Sequence, residues 1–152
     1  MTTDSYARAI RVGAAPDAVY QALTVGFEHW WTKPDRPLVE VGDIAKFSFA
    51  GRKGFWSFEA RVLRPDRVEL VCVEALHVHE GYPRAIETEW LGTTAIWQLE
   101  PDGDGTEIRF EHAGLTPDLH CFEICEAGWD RFFVGSLKAY LDTGRGAPFE
   151  GN

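Results

Sequence analysis

The sequence predicts an α+β fold in which an antiparallel sheet is covered on one side by a long C-terminal helix. Three observations predict it. Between residues 43 and 113 apolar residues recur with period two, between 116 and 144 they recur with the helical period, and tight-turn residues separate several strand candidates. With 152 residues, 45% of them hydrophobic and 13% aromatic, the chain can bury a sizeable core. No repeat, low-complexity tract or linker interrupts it, so residues 1–152 read as one domain.

The elements follow in order. "SYARAIRV" (5–12) alternates and reads as a first strand. In "APDAVYQALT" the period changes: Pro16 suits the first helical position, and Val19, Tyr20 and Leu23 fall on one stripe. "GFEHWWTKPDRP" reads as a second short helix, broken by Pro34 and Pro37. "DIAKFSF", "GFWSFEARVLRPD", "RVELVCVEAL", "TTAIWQLEPD" and "GTEIRFEHAG" are five further strands, with turns at Pro65-Asp66 and "PDGDG". Parity places Trp56, Phe58, Ala60 and Val62 on one face, and likewise Ala95, Trp97 and Leu99. Ile108, Phe110 and His112 oppose Glu107, Arg109 and Glu111, so the sheet has one buried and one wetter side. The segment 77–92 shows no period. Thr116-Pro117-Asp118 reads as the start of the last helix and Gly144 as its stop. Phe122, Cys125, Trp129, Phe132, Phe133, Ser136, Leu137 and Tyr140 then share one face, opposite Asp130, Arg131, Lys138 and Asp142.

Lys and Arg total 15 against 24 Asp and Glu, a formal charge of −9, which disfavours nucleic acid and anionic membrane as partners. No apolar run reaches the roughly 18 residues of a membrane span, and the first residues lack a basic-then-apolar leader, so a cytoplasmic location is expected. Cys72, Cys121 and Cys125 are an odd number without disulfide spacing, in keeping with a reducing compartment.

"APDAVYQALT", the "HWW" after it, "LEPDGDGTEIRFEHAGL" and "GWDRFFVGSLKAYLDTG" occur in the order and at the spacing of the START-like (SRPBCC) superfamily. Within it the chain resembles the group named after the activator of the heat-shock protein 90 ATPase, from about Ile10 to Gly144. The resemblance implies a helix-grip fold: a curved antiparallel sheet of six or seven strands wrapped around the long C-terminal helix, with two short helices after the first strand. It also implies a deep apolar cavity between sheet and helix. It transfers no activity residue by residue, because one fold hosts many functions.

Several chemical constellations invite a reading. His77 and His79 in "HVHE" would point to one side if extended, with Glu74 or Glu80 nearby, but no third ligand is fixed and no metal is expected. Cys121 and Cys125, four apart beside His120, lack the two-residue gap of zinc or redox motifs and read as buried thiols. No "GxSxG", phosphate loop or dinucleotide fingerprint occurs, so no cofactor is expected and catalytic residues stay unassigned.

The expected function is therefore binding of a small apolar or aromatic molecule. The residues expected to line the site are Trp56, Phe58, Trp97, Phe110, His112, Glu126, Trp129, Phe132, Phe133 and Ser136, rings with a few polar groups to orient a ligand. Two alternatives stand beside it. One is a cyclase- or hydrolase-type enzyme using His112 and Glu126 as acid and base. The other is a chaperone co-factor or interaction module, with a homodimer or chaperone as partner and a contact around "FEHWW".

Overall fold

The computed structural model describes residues 5–49, 54–77, 81 and 83–149. Six strands form one antiparallel sheet: β1 (Tyr6–Val12), β2 (Ile44–Phe49), β3 (Gly54–Arg64), β4 (Arg67–His77), β5 (Thr94–Asp102) and β6 (Gly105–Ala113). Their order is β1-β6-β5-β4-β3-β2, a meander whose last strand pairs with the first. After β1 come helix α1 (Pro16–Ala22) and a short 3-10 turn (Phe27–His29), and a second 3-10 turn (Arg84–Thr88) lies between β4 and β5. The chain then enters a C-terminal helix of 22 residues that lies on the sheet, the helix-grip arrangement. No helix of the described residues is long and apolar enough to cross a membrane.

The C-terminal helix is not uniform. An α-helical start, α2 (Phe122–Trp129), passes into a π-helical stretch (Asp130–Leu137) and ends in α3 (Lys138–Thr143). Helices of π type are rare and concentrate at functional sites. The stretch begins at Asp130, whose carboxylate accepts from Tyr6 Oη at 2.7 Å and from Arg8 Nε at 3.0 Å on β1. Arg8 also reaches Glu126 at 3.2 Å, so one β1 arginine holds both sides of the α-to-π junction. Burial and the bond to Asp130 raise the Tyr6 phenol above its ordinary range.

Two sequence expectations need correction. The helix begins at Phe122 rather than near Thr116, and the two amides just before it are claimed from elsewhere. Glu89, just before β5, accepts from the backbone N–H of His120 and of Cys121, both at 2.9 Å, while the Thr116 hydroxyl turns to Asp118. A long-range carboxylate thus does the work of a local cap. In β3 the expected alternation fails after Ala60. Register irregularities lie between Ser57 and Phe58 and between Ala60 and Val62. The extra residue flips the parity, so Leu63, opposite the fully buried Val68, packs on the core beyond it. Ser57, on the expected wet face, is buried and donates to Glu74 Oε1 at 2.9 Å.

The free edge of β2 is partly blocked. Asp35 donates its N–H to the Lys46 carbonyl and accepts the Lys46 N–H through its carboxylate, and Thr32 Oγ1 donates to the Ser48 carbonyl. Occupying these outward groups removes a template for adding a strand.

Candidate functional site

The space between sheet and helix is occupied by rings. From the sheet come Phe47, Phe49, Trp56, Phe58, Trp97 and Phe110; from the helix, Trp129, Phe132 and Phe133; and from connecting segments, Trp31 and Trp90. Trp129 is the hub. Its ring lies 4.7 Å from Phe110, 4.9 Å from Trp31 and 5.9 Å from a nearly parallel Trp90. Trp97 stacks on Phe110 at 4.7 Å, as neighbours across β5 and β6. Edge-to-face and offset geometries of this kind each add about 0.5–1.5 kcal/mol beyond the area buried.

Inside this cage sits a chain of polar groups. His112 is fully buried. Trp129 Nε1 donates to its Nδ1 at 3.0 Å, which leaves the ring proton on Nε2, 2.8 Å from Thr93 Oγ1. Thr93 passes its own proton to the Trp90 carbonyl at 2.6 Å. The direction of each bond is thereby set: Trp129 to His112 to Thr93 to Trp90. Burial lowers the imidazole pKa to about 3, so His112 is neutral at physiological pH. Trp90 Nε1 in turn donates to Cys125 Sγ at 3.2 Å. A hydrogen bond with Cys121, and then burial, raise the Cys125 thiol far above its ordinary value, and burial raises Cys72 to about 12. These are unreactive packing thiols.

One polar atom has no such place. Trp97 Nε1 is buried and meets no acceptor among the described residues. A buried unmade donor costs about 1–3 kcal/mol and calls for a reason.

The residues singled out in the sequence are distributed as follows. Trp56, Phe58, Trp97, Phe110, His112, Trp129, Phe132, Phe133 and Ser136 are all buried, the rings packed in one core cluster and Ser136 against the Trp30 segment and the tail. Glu126 is half-exposed and paired with Arg8 of β1, so it and His112 are held by different partners. Ser136 donates to the Trp30 carbonyl and accepts from Ala147 N–H, each at 2.7 Å. His79 and Glu80 lie outside the described residues, and among the described residues no group of three or more His, Cys, Asp or Glu could hold a metal ion.

Sequence reasoning missed Trp90, Thr93, Trp31 and Glu89. Trp90 and Glu89 fall in 77–92, where no period exists to read, and only the presence of a tryptophan in a polar segment hinted at burial.

Ring exposure points to one end of the space. Phe49 is 8%, Trp56 9% and Phe132 7% exposed, while Phe47, Phe58, Phe110 and Phe133 are at most 1% exposed. The three touch: Phe49 lies 5.4 Å from Trp56 and 6.3 Å from Phe132.

Residues 13–142 match the model of a family described as Activator of Hsp90 ATPase homolog 1-like protein. Among solved structures, the chain is similar to the Aha1 dimer from Colwellia psychrerythraea, determined in solution. The two share 30% identity over 96% of this chain and 100% of that one, with a TM-score of 0.72. It also resembles DynU16, from the dynemicin biosynthetic locus, at 23% identity and a TM-score of 0.70, over 95% of this chain and 49% of that one. MLL2253 from Mesorhizobium loti superimposes with a TM-score of 0.69 at 23% identity, over 86% and 91% of the respective chains. Likeness at these last two identities speaks to fold alone. No curated protein matches the chain.

Proposed function

The chain belongs to the Activator of Hsp90 ATPase homolog 1-like family, and on that premise we propose that it binds a flat apolar or aromatic small molecule between sheet and helix. One observation carries the reading: the Trp97 indole N–H, buried among rings and without an acceptor among the described residues. A ligand oxygen there would repay a desolvated donor, and the surrounding rings would supply area. Phe49, Trp56 and Phe132, the most exposed of the cage rings, form its mouth. His112 and Thr93 shape the wall rather than act on the ligand, because their hydrogen bonds are spent on one another and on Trp129 and Trp90. A reducing cytoplasm suits the three free cysteines.

The test is tryptophan quenching with flavone, a flat three-ring ketone, followed by native mass spectrometry of protein from its own host. Saturable one-to-one quenching that weakens about tenfold in Trp97→Phe, which keeps the ring and removes only the donor, supports the reading. Absence of saturable binding, with no co-purified molecule, sinks it.

A second reading, self-association, is favoured by Val39, Val41 and Ile44, which are 64%, 63% and 45% exposed within six residues of one another. Light scattering on the wild type and on Val41→Asp decides it: a dimer reduced to monomer by the substitution is the expected result, and a monomeric wild type ends it.

A further inference from the structure

Beyond the helix the described residues, as far as Phe149, stay against the molecule. Gly144, at φ +86°, ends α3 in the left-handed conformation that glycine adopts freely. The following residues then thread back between the helix and the segment after the first 3-10 turn. Ala147 N–H donates to Ser136 Oγ and Phe149 N–H to the Trp31 carbonyl, each at 2.7 Å. Ser136 passes its own proton to the Trp30 carbonyl, so one hydroxyl joins helix, tail and the aromatic segment. The approach is close: a Cβ on Gly146 would lie 2.4 Å from the His29 carbonyl oxygen, a distance that real Cβ atoms do not reach. At Phe149 the tail reaches the mouth, where its ring meets Phe49 edge-on at 5.1 Å.

We infer that residues 145–149 form a strap over the ring-lined site, with Phe149 as the stopper that a ligand must lift or replace. The inference rests on the binding reading above and specifies how that site is reached. Two points carry it. Beyond the local bonds of Arg145 to Thr143 at the helix end, the strap is held by the Ala147 and Phe149 backbone donors and one ring contact, few enough to open locally while the sheet and helix stay folded. And its ring touches Phe49, one of the three most exposed cage rings, rather than the fully buried Phe47, Phe110 or Phe133. Flat ligands are then taken up by exchange: the Phe149 ring leaves Phe49 as the ligand ring arrives, so strap and ligand compete.

Competition lowers apparent affinity and entry rate by the fraction of time the strap is open. Stopped-flow quenching with flavone should therefore show entry about tenfold faster in Phe149→Ala, and faster again in Gly146→Ala, whose Cβ pries the strap from His29. In the wild type, saturating flavone should speed hydrogen exchange of the Ala147 and Phe149 amides, a readout that needs no variant and decides the matter if either substitution unfolds the chain. Entry rates unchanged within twofold, with these amides equally or better protected in the complex, overturn the strap and leave the binding site standing. No flavone binding by any of the three proteins, together with no co-purified molecule, overturns both.

Discussion

Lowering the pH tests the interior through one residue. His112 is a fully buried imidazole, and burial holds its pKa at about 3 against 6.5 for an exposed one. The folded value is depressed, so the unfolded chain binds the proton first. Stability is fully present above pH 6.5, begins to fall as the pH drops through that value, and continues falling until about pH 3. At 1.36 kcal/mol per unit, the loss from this group is about 2 kcal/mol at pH 5 and about 3 kcal/mol at pH 4. Carboxylates contribute too, so the quantity to measure is a difference. His112→Gln keeps an acceptor for Trp129 and a donor for Thr93 but cannot titrate. Urea unfolding at pH 7 and pH 4 should show the wild type losing about 3 kcal/mol more than His112→Gln. Proton-detected titration of the imidazole should find it neutral down to at least pH 4. Equal losses in the two proteins, or an imidazole that titrates near 6.5, would refute the buried neutral histidine and the ordered chain built on it.

Other expected outcomes are simpler. Trp129→Ala removes the hub ring and strips His112 Nδ1 of its donor, so it should cost about 3–5 kcal/mol in chemical denaturation. Glu89→Ala leaves the N–H groups of His120 and Cys121 without their acceptor and should cost about 1–2 kcal/mol, with faster amide exchange centred on these two residues just before α2. Burial alone would raise the Glu89 pKa, but the bonds from His120 and Cys121 hold it below the usual carboxylate range. Its contribution is accordingly present at neutral pH and lost on acidification through that lowered value. Gly114→Ala must adopt φ +101° with its Cβ 2.8 Å from Thr93 Cγ2, which should cost about 1–3 kcal/mol and displace the hydroxyl that His112 uses; an unshifted thermal midpoint would count against that contact.

Much of the fold was legible because strands and helices announce themselves locally. Trp97, Phe110 and His112 could be assigned inward from alternation alone, since a strand's side chains must point to opposite faces whatever the sheet around them. The face carrying Trp129, Phe132, Phe133 and Ser136 followed from helical spacing in the same way. Elsewhere the determinants were distant in sequence. Parity in β3 changed at irregularities that depend on how β4 pairs with it, and nothing in "SFEARVL" encodes the shift. The helix started where Glu89, over thirty residues upstream, met its first amides.

The same division separates the groups inside the site. Residue type and periodicity determined that rings and a histidine would face inward, because hydrophobic burial acts on each element's own pattern. Which way the histidine proton points, which tryptophan N–H goes without an acceptor, and where Ser136 spends its hydroxyl were decided only when Trp90, Thr93 and the tail at Ala147 arrived from other parts of the chain. Burial is a property of a local pattern, whereas a hydrogen bond needs two named atoms within about 3 Å, and only the tertiary structure brings such atoms together.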